Sequence, residues 1–328
     1  MSELDVAAFA AETGTHLIGE PRQARFAAFR RRFDRRAYAA SLAARGLRFV
    51  ARSSSEFPPL LRAIHDPPVG LFLRGAAAPE LLSRSAVAIV GARACSPYGS
   101  QVARMLGREL AAAGLVVVSG LARGVDGEAH RGALEAGGAT IGVLGCGIDR
   151  DYPAAHRELA RRIGESGLVV SEYAPGVEPA PWRFPARNRI IAGLCAATVV
   201  VEAREASGAL ITADLALEEG REVFACPGEI TSALSAGSNA LLRLGATPLT
   251  GALDVLESFG IEDTAARSVE LAGPAQTVLL RLRDAAASPD ELARATDLDA
   301  AELAVALSEL ELAGLAVQAD GVYRAVGH

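Results

Sequence analysis

Six short apolar runs recur through the middle of the chain: AVAIV (86–90), LVVVS (115–119), TIGVL (140–144), LVVSE (168–172), ATVVVEA (197–203) and EVFAC (222–226). Each is separated from the next by a stretch of helical character. A strand without polar alternation is buried on both faces, and strands alternating with helices run parallel, so this region is restricted to a parallel sheet covered on both sides. One covering helix is signalled by Ser96 before Pro97, an N-cap followed by a proline at the first helical position, with Gly114 closing the segment. A second is expected from Gly127 to Ala136, stopped by Gly137-Gly138. The expected fold is α/β, a doubly wound, Rossmann-like parallel sheet over residues 71–265. Ligands of such sheets bind outside the carboxyl ends of the strands.

A chain of 328 residues is too long for one such unit. In front of the sheet, PRQARFAAFRRRFDRR sets seven arginines against one aspartate, and Phe26, Phe29 and Phe33 fall on one helical face. A small helical N-terminal domain over residues 1–70 is therefore expected, its basic face either solvated or in contact with nucleic acid. A linker is expected at 266–273, running into ELAGPAQ (270–276). Beyond it, residues 274–328 read as three helices and a β-hairpin around Asp320-Gly321, the pattern of a winged helix. The last of these helices holds Asp299, Glu302, Glu309 and Glu311 without a cation. Phosphate repulsion argues against its lying on duplex DNA and favours a protein contact.

A net charge of −6 predicts no polyanion partner for the chain as a whole, so any nucleic-acid site must be local. Lysine is absent, and all 33 cations are arginines, planar forks suited to phosphate and to base stacking. Cys95, Cys146, Cys195 and Cys226 lie far apart with no C-x-x-C pair, which argues against zinc and disulfides and for buried thiols. No stretch of about 18 residues lacks charges, and the acidic opening does not resemble a signal peptide. A cytoplasmic protein with no membrane contact is expected.

The strand ends carry the candidate site. In order they bring Gly91-Ala92-Arg93, then Ser119-Gly120-Leu121-Ala122-Arg123-Gly124, Gly145-Cys146-Gly147, the segment PWRFPARNRIIAG (181–193) and Glu202-Ala203-Arg204-Glu205-Ala206-Ser207-Gly208. Glycines let backbone N–H groups approach a ligand, and helix N-termini add partial positive charge, which makes the rim an anion site. Arg93, Arg123, Arg187 and Arg189 are expected to converge on it. Asp126, Asp149, Glu172, Glu202 and Glu205 share these loops, so pairing with carboxylates is the alternative for each arginine. No phosphate loop of the G-x-x-x-x-G-K-[ST] kind exists, and G-x-G-x-x-G fails because residue 150 is arginine. Tyr173, Trp182 and Phe184 interleave with the arginines, the composition of a groove that holds phosphates on cations and bases on rings. Core packing is the alternative for the rings, and helix capping for Asn188.

The series G-A-R (91–93), S-G-L-A-R-G-V-D (119–126), L-G-C-G (144–147), Y-P (152–153), F-P-A-R-N-R-I-I-A-G-L (184–194), S-G-A-L-I-T-A (207–213) and F-A-C-P-G (224–228) resembles the DNA-processing protein A (DprA/Smf) family. So do G-S-N-A-L-L-R-L-G-A (237–246) and, upstream, F-P-P-L-L-R-A-I-H-D-P-P (57–68). The resemblance implies an extended Rossmann domain, usually a homodimer. It implies a protein that binds incoming single-stranded DNA during natural transformation, protects it and helps load the RecA recombinase, with no catalytic activity and no cofactor or metal. The DNA-binding residues implied are Gly91, Ala92, Arg93, Ser119, Gly120, Arg123, Gly124, Phe184, Arg187, Asn188, Arg189, Ser207, Gly208 and Thr212. Ala92 stands where serine or threonine is commoner, and Cys195 where serine is usual; neither change removes a charge. Two other classes remain open. The segment S-G-A-L-I-T-A sits where nucleotide-cleaving Rossmann hydrolases carry a phosphate loop, with Glu218 or Glu219 as a carboxylate source but without the paired glycines. A nucleotide-signal sensor would use the same rim. The histidines at 16, 65, 130, 156 and 328 are scattered. His130 is expected to be packed or to cap a helix rather than to act as a general base.

Overall fold

The structure, a computed structural model, describes residues 2–13, 23–261, 273–313, 315–319 and 321–325. His16, His328, the hairpin residue Asp320 and the expected linker up to residue 272 lie outside the described residues. The chain divides into two compact units, 1–261 and 262–328.

The first unit opens with helices α1 (Glu3–Thr13), α2 (Gln23–Arg32) and α3 (Arg35–Ala44), followed by strand β1 (Leu47–Ala51), the short α4 (Pro59–Arg62) and β2 (Gly70–Arg74). The wound portion follows as β3 (Ala86–Val90), α5 (Pro97–Ala112), β4 (Val116–Ser119), α6 (Val125–Glu135), β5 (Thr140–Val143), α7 (Arg157–Ser166) and β6 (Leu168–Ser171). It continues through α8 (Arg183–Leu194), β7 (Ala197–Val200), α9 (Gly208–Glu218), β8 (Glu222–Ala225), α10 (Ala236–Arg243), β9 (Thr247–Pro248) and α11 (Ala252–Ser258). All six apolar runs are strands. They join one nine-stranded sheet in the order β1-β2-β6-β5-β4-β3-β7-β8-β9, parallel from β6 to β9. The chain works outward from β3 to β6 and then returns to lay β7 on the other side of β3. The crevice above β3 is thus the topological switch point where such sheets bind ligands.

Two expectations change. The sheet begins inside the stretch expected to be a helical domain: β1 pairs antiparallel with β2 from Leu47–Arg74 to Ala51–Gly70, and β2 pairs antiparallel with β6. Phe57 and Leu61, fully buried, enter the same core as Val90 and Val118, so residues 47–70 fold with the sheet. Only α1 to α3 keep the expected character, with Phe9, Phe26 and Phe29 in a small cluster of their own and Asp5, buried, holding Arg35 through both carboxylate oxygens. The other change is at α6, which begins at Val125 rather than Gly127. Gly124, at φ +73°, makes the turn that starts it. Helices α5 and α6 then pack very closely through glycine: a Cβ on Gly132 would meet the Arg104 carbonyl oxygen at 2.0 Å.

The second unit is α12 (Pro274–Asp284), α13 (Pro289–Thr296), α14 (Ala300–Leu312) and the hairpin β10 (Ala316–Ala319) and β11 (Val322–Ala325). Capping boxes at Ser288/Glu291 and Asp299/Glu302 start α13 and α14, and Val278, Leu292, Leu303 and Leu310 fill its core. This is the winged-helix pattern read from the sequence. Among the described residues no helix is long and apolar enough to cross a membrane.

Candidate functional site

A cavity of about 330 Å³ opens at the switch point. Gly91, Ala92 and Arg93 line it from the loop after β3, Phe184, Arg187 and Asn188 from α8, and Ser207, Gly208 and Thr212 from the start of α9. Five of the expected residues do not line it: Ser119, Gly120, Arg123, Gly124 and Arg189. Arg204, which does, was missed, although it follows β7 and the strand-end rule that selected the others applies to it equally.

The walls are tied together by groups from distant parts of the chain. The carboxylate of Glu202, 4% exposed, accepts from the backbone N–H of Ser96 at 2.9 Å, and its backbone oxygen accepts from Ala92 N–H at 2.7 Å. The loop after β7 therefore holds the loop after β3 and the start of α5. Asn188 lies in the second turn of α8, so it does not cap that helix. Its Nδ2 donates to the Gly208 carbonyl at 3.1 Å and joins α8 to α9. Ser207 is a true N-cap, its Oγ accepting from Ala209 N–H, and the positive end of α9 meets the crevice.

The two arginines of A-R-N-R do different things. Arg187 is 5% exposed and forms the charged floor of the cavity: its guanidinium donates to the carbonyls of Gly120, at 2.8 Å, and Val143. Burial pulls it down to about 10, against the attraction of Asp126, and it remains charged at neutral pH. Asp126 is itself buried, accepting from Gly120 N–H at 3.1 Å; burial raises its carboxyl while Arg187 and these N–H groups oppose the rise. Gly120 cannot be replaced easily, because a Cβ there would lie 2.5 Å from the Arg187 guanidinium. Arg189, in contrast, grips both oxygens of Glu172 at 2.9 and 2.7 Å and Asp66 at 3.0 Å. Burial opposes its charge, but Glu172 and Asp66 hold the guanidinium above its ordinary range. The expected convergence of four arginines is corrected accordingly: residues two apart on a helix point about 200° apart, so one of this pair faces the crevice and the other faces away.

What remains exposed at the rim is Arg93, Arg123 and Arg204, none of them paired with a carboxylate among the described residues. Arg93 lies over the Phe184 ring at 5.7 Å, and Phe184 stacks on Tyr152 with centroids 5.1 Å apart and planes 26° apart. Phe184 is thus the middle of a ladder rather than a bare platform. Tyr152, 44% exposed, is its outer ring, and the Y-P dipeptide was the only sequence sign of it. Ser119 is buried, donating to the Ile89 carbonyl, and Gly124 packs against Ala92 and Arg93, so both shape the rim.

His130 is fully buried, with Nδ1 at 2.7 Å from Thr140 Oγ1, and is packed against the sheet, away from the crevice. Burial pulls it from an ordinary value near 6.5 down to about 3. The unfolded chain takes up this proton below 6.5 and the folded chain does not, so its contribution to stability is complete above 6.5 and is lost as the pH falls towards 3. Below pH 6 the unfolding free energy is expected to fall by about 1 kcal/mol per pH unit on account of this residue. Urea melts of wild type and His130→Gln between pH 7 and 4.5 check it: parallel slopes would show that another group is responsible. Cys146, Cys195 and Cys226 are buried and Cys95 half-buried, all as free thiols. Burial pushes Cys146 up to about 11 and Cys226 to about 12. Among the described residues no group of three or more His, Cys, Asp or Glu is placed to hold a metal ion.

Residues 48–260 match the family model described as DNA recombination-mediator protein A, and residues 262–321 match that of the DprA winged helix domain. The chain is similar to the DNA processing protein DprA of Streptococcus pneumoniae, 48% identical over 203 residues covering 62% of this chain and 71% of that protein. It is 40% identical over 300 residues to a putative DNA processing protein DprA of Mycobacterium tuberculosis, covering 85% of this chain and 77% of that one. Among solved structures, DprA from Streptococcus pneumoniae superposes with a TM-score of 0.67 at 39% identity, covering 78% of this chain and 93% of that chain. DNA processing protein A from Helicobacter pylori, studied for its unique single-stranded DNA binding mode, gives 0.57 at 33% identity, covering 62% and 92%.

Proposed function

Because the chain belongs to the DNA recombination-mediator protein A family, we propose that it binds single-stranded DNA at the switch-point crevice, protects it and assists loading of the RecA recombinase in natural transformation and recombination. It acts as a cytoplasmic homodimer that carries DNA without breaking bonds in it. The observation that carries this reading is Arg93, an exposed cation without a carboxylate partner, lying over an aromatic ladder at the mouth of a cavity floored by Arg187. One phosphate sits between Arg93, Arg204 and the positive end of α9, beside Gly91, Ala92, Ser207, Gly208 and Thr212, and Arg123 takes a neighbouring phosphate from the next strand end. A base lies against the Phe184–Tyr152 ladder. Ser119, Gly120, Gly124, Arg187 and Asn188 shape the site from beneath, and Arg189 anchors α8 without touching DNA. Contacts to phosphate and to ring faces favour single strands with little dependence on sequence. Single-strand binding by the Helicobacter pylori relative supports the assignment.

Fluorescence anisotropy with a labelled single strand and the matching duplex tests it. Wild type is expected to prefer the single strand, and Arg93→Ala to flatten the dependence of log affinity on log salt by about 0.7, the share of one single-strand phosphate contact. Weaker binding by Arg93→Ala at an unchanged slope would make Arg93 a structural residue. Equal affinity of wild type for duplex and single strand would overturn the assignment.

A further inference from the structure

We propose that Trp182 forms a second stacking platform, outside the crevice, for the nucleotides that extend beyond it. The inference rests on the single-strand reading above and gives the bound strand a direction, outward over the start of α8.

Trp182 immediately precedes α8 and Phe184 is that helix's second residue, so the indole and the crevice ladder stand at the same helix end. The Arg183 guanidinium lies 4.8 Å from the Trp182 ring centroid and 5.2 Å from that of Tyr173, and one of its amino groups donates to the Glu178 carbonyl. Tyr173–Arg183–Trp182 thus repeats the two-rings-and-a-guanidinium composition of Tyr152–Phe184–Arg93. Yet Trp182 leaves 44% of its surface in water, where an indole serving only as core packing would be covered. A cation held against one ring and bonded to the backbone restrains the indole before any ligand arrives, which reduces the ordering cost of stacking a base on it. The same guanidinium places positive charge beside the exposed ring, the pairing of cation and aromatic that single-strand grooves use for phosphate and base together.

The chain's single tryptophan makes the test direct. Oligothymidylates of about 4 and about 16 nucleotides, within the range of single-strand site sizes, are titrated while intrinsic emission and the anisotropy of a labelled strand are both read. The longer strand is expected to quench the emission. Trp182→Ala, its fold checked by thermal melt, is expected to bind the longer strand about tenfold more weakly and the shorter one unchanged, with Trp182→Phe recovering most of the loss. Anisotropy that reports binding of the longer strand with unchanged emission, together with wild-type affinity of Trp182→Ala, would overturn the inference and leave the crevice assignment standing. Failure of the wild-type protein to bind either strand would remove the assignment and this inference with it.

Discussion

Replacing Arg187 by methionine is expected to lower the unfolding free energy by roughly 3–5 kcal/mol, the usual consequence of removing one member of a buried charged pair. Methionine keeps the apolar stem and loses the cation. The carbonyls of Gly120 and Val143 then lose their donor inside the protein, and Asp126 loses the largest of the influences that oppose the effect of its own burial. Asp126 would shift further towards its neutral form, and the S-G-L-A-R-G loop, which hangs on Asp126 through Gly120 N–H and Ala122 N–H, would loosen. Leu121 in that loop stands at φ +58°, a conformation whose cost the contacts around the loop must offset. Chemical denaturation at neutral pH measures the loss. A decrease of under 1 kcal/mol would show that Arg187 is not the keystone of the floor.

The combined Arg93→Ala, Arg123→Ala and Arg204→Ala variant is expected to bind single strands roughly 1000-fold more weakly than wild type at moderate salt. Three charged hydrogen bonds at about 1.5 kcal/mol each give that order of loss. All three side chains are exposed and none pairs with a carboxylate among the described residues, so the fold should be unaffected and the thermal midpoint unchanged. Anisotropy across a salt series separates the two components of binding. The residual affinity of the variant should be nearly independent of salt, because what remains is stacking on rings. Retention of a steep salt dependence by the triple variant would place the phosphates on other arginines.

Much of this was legible before any coordinates. The unbroken apolar runs meant strands buried on both faces, and Ser96-Pro97 marked a helix start that the structure has, capped by that serine. These signals are local: a cap or an apolar run acts through residues within one or two turns of itself. Leu47–Ala51 escaped notice for the opposite reason. Five residues of mixed pattern become a strand only because Gly70–Arg74 lies beside them, and nothing near residue 47 encodes that pairing.

The cations divide along the same line. Sequence by itself determined that the strand ends of a parallel sheet would gather arginine, glycine and aromatic residues around one crevice, since chain order and strand direction place every loop after a strand on the same side. It did not determine which arginine faces a ligand. That was decided by Asp66, Asp126 and Val143, which lie far from Arg187 and Arg189 in the chain, and by the turn of α8, which sends one guanidinium beneath the crevice and the other to Glu172. Charge pairing depends on distance in space and on burial, and neither can be read from spacing along the chain.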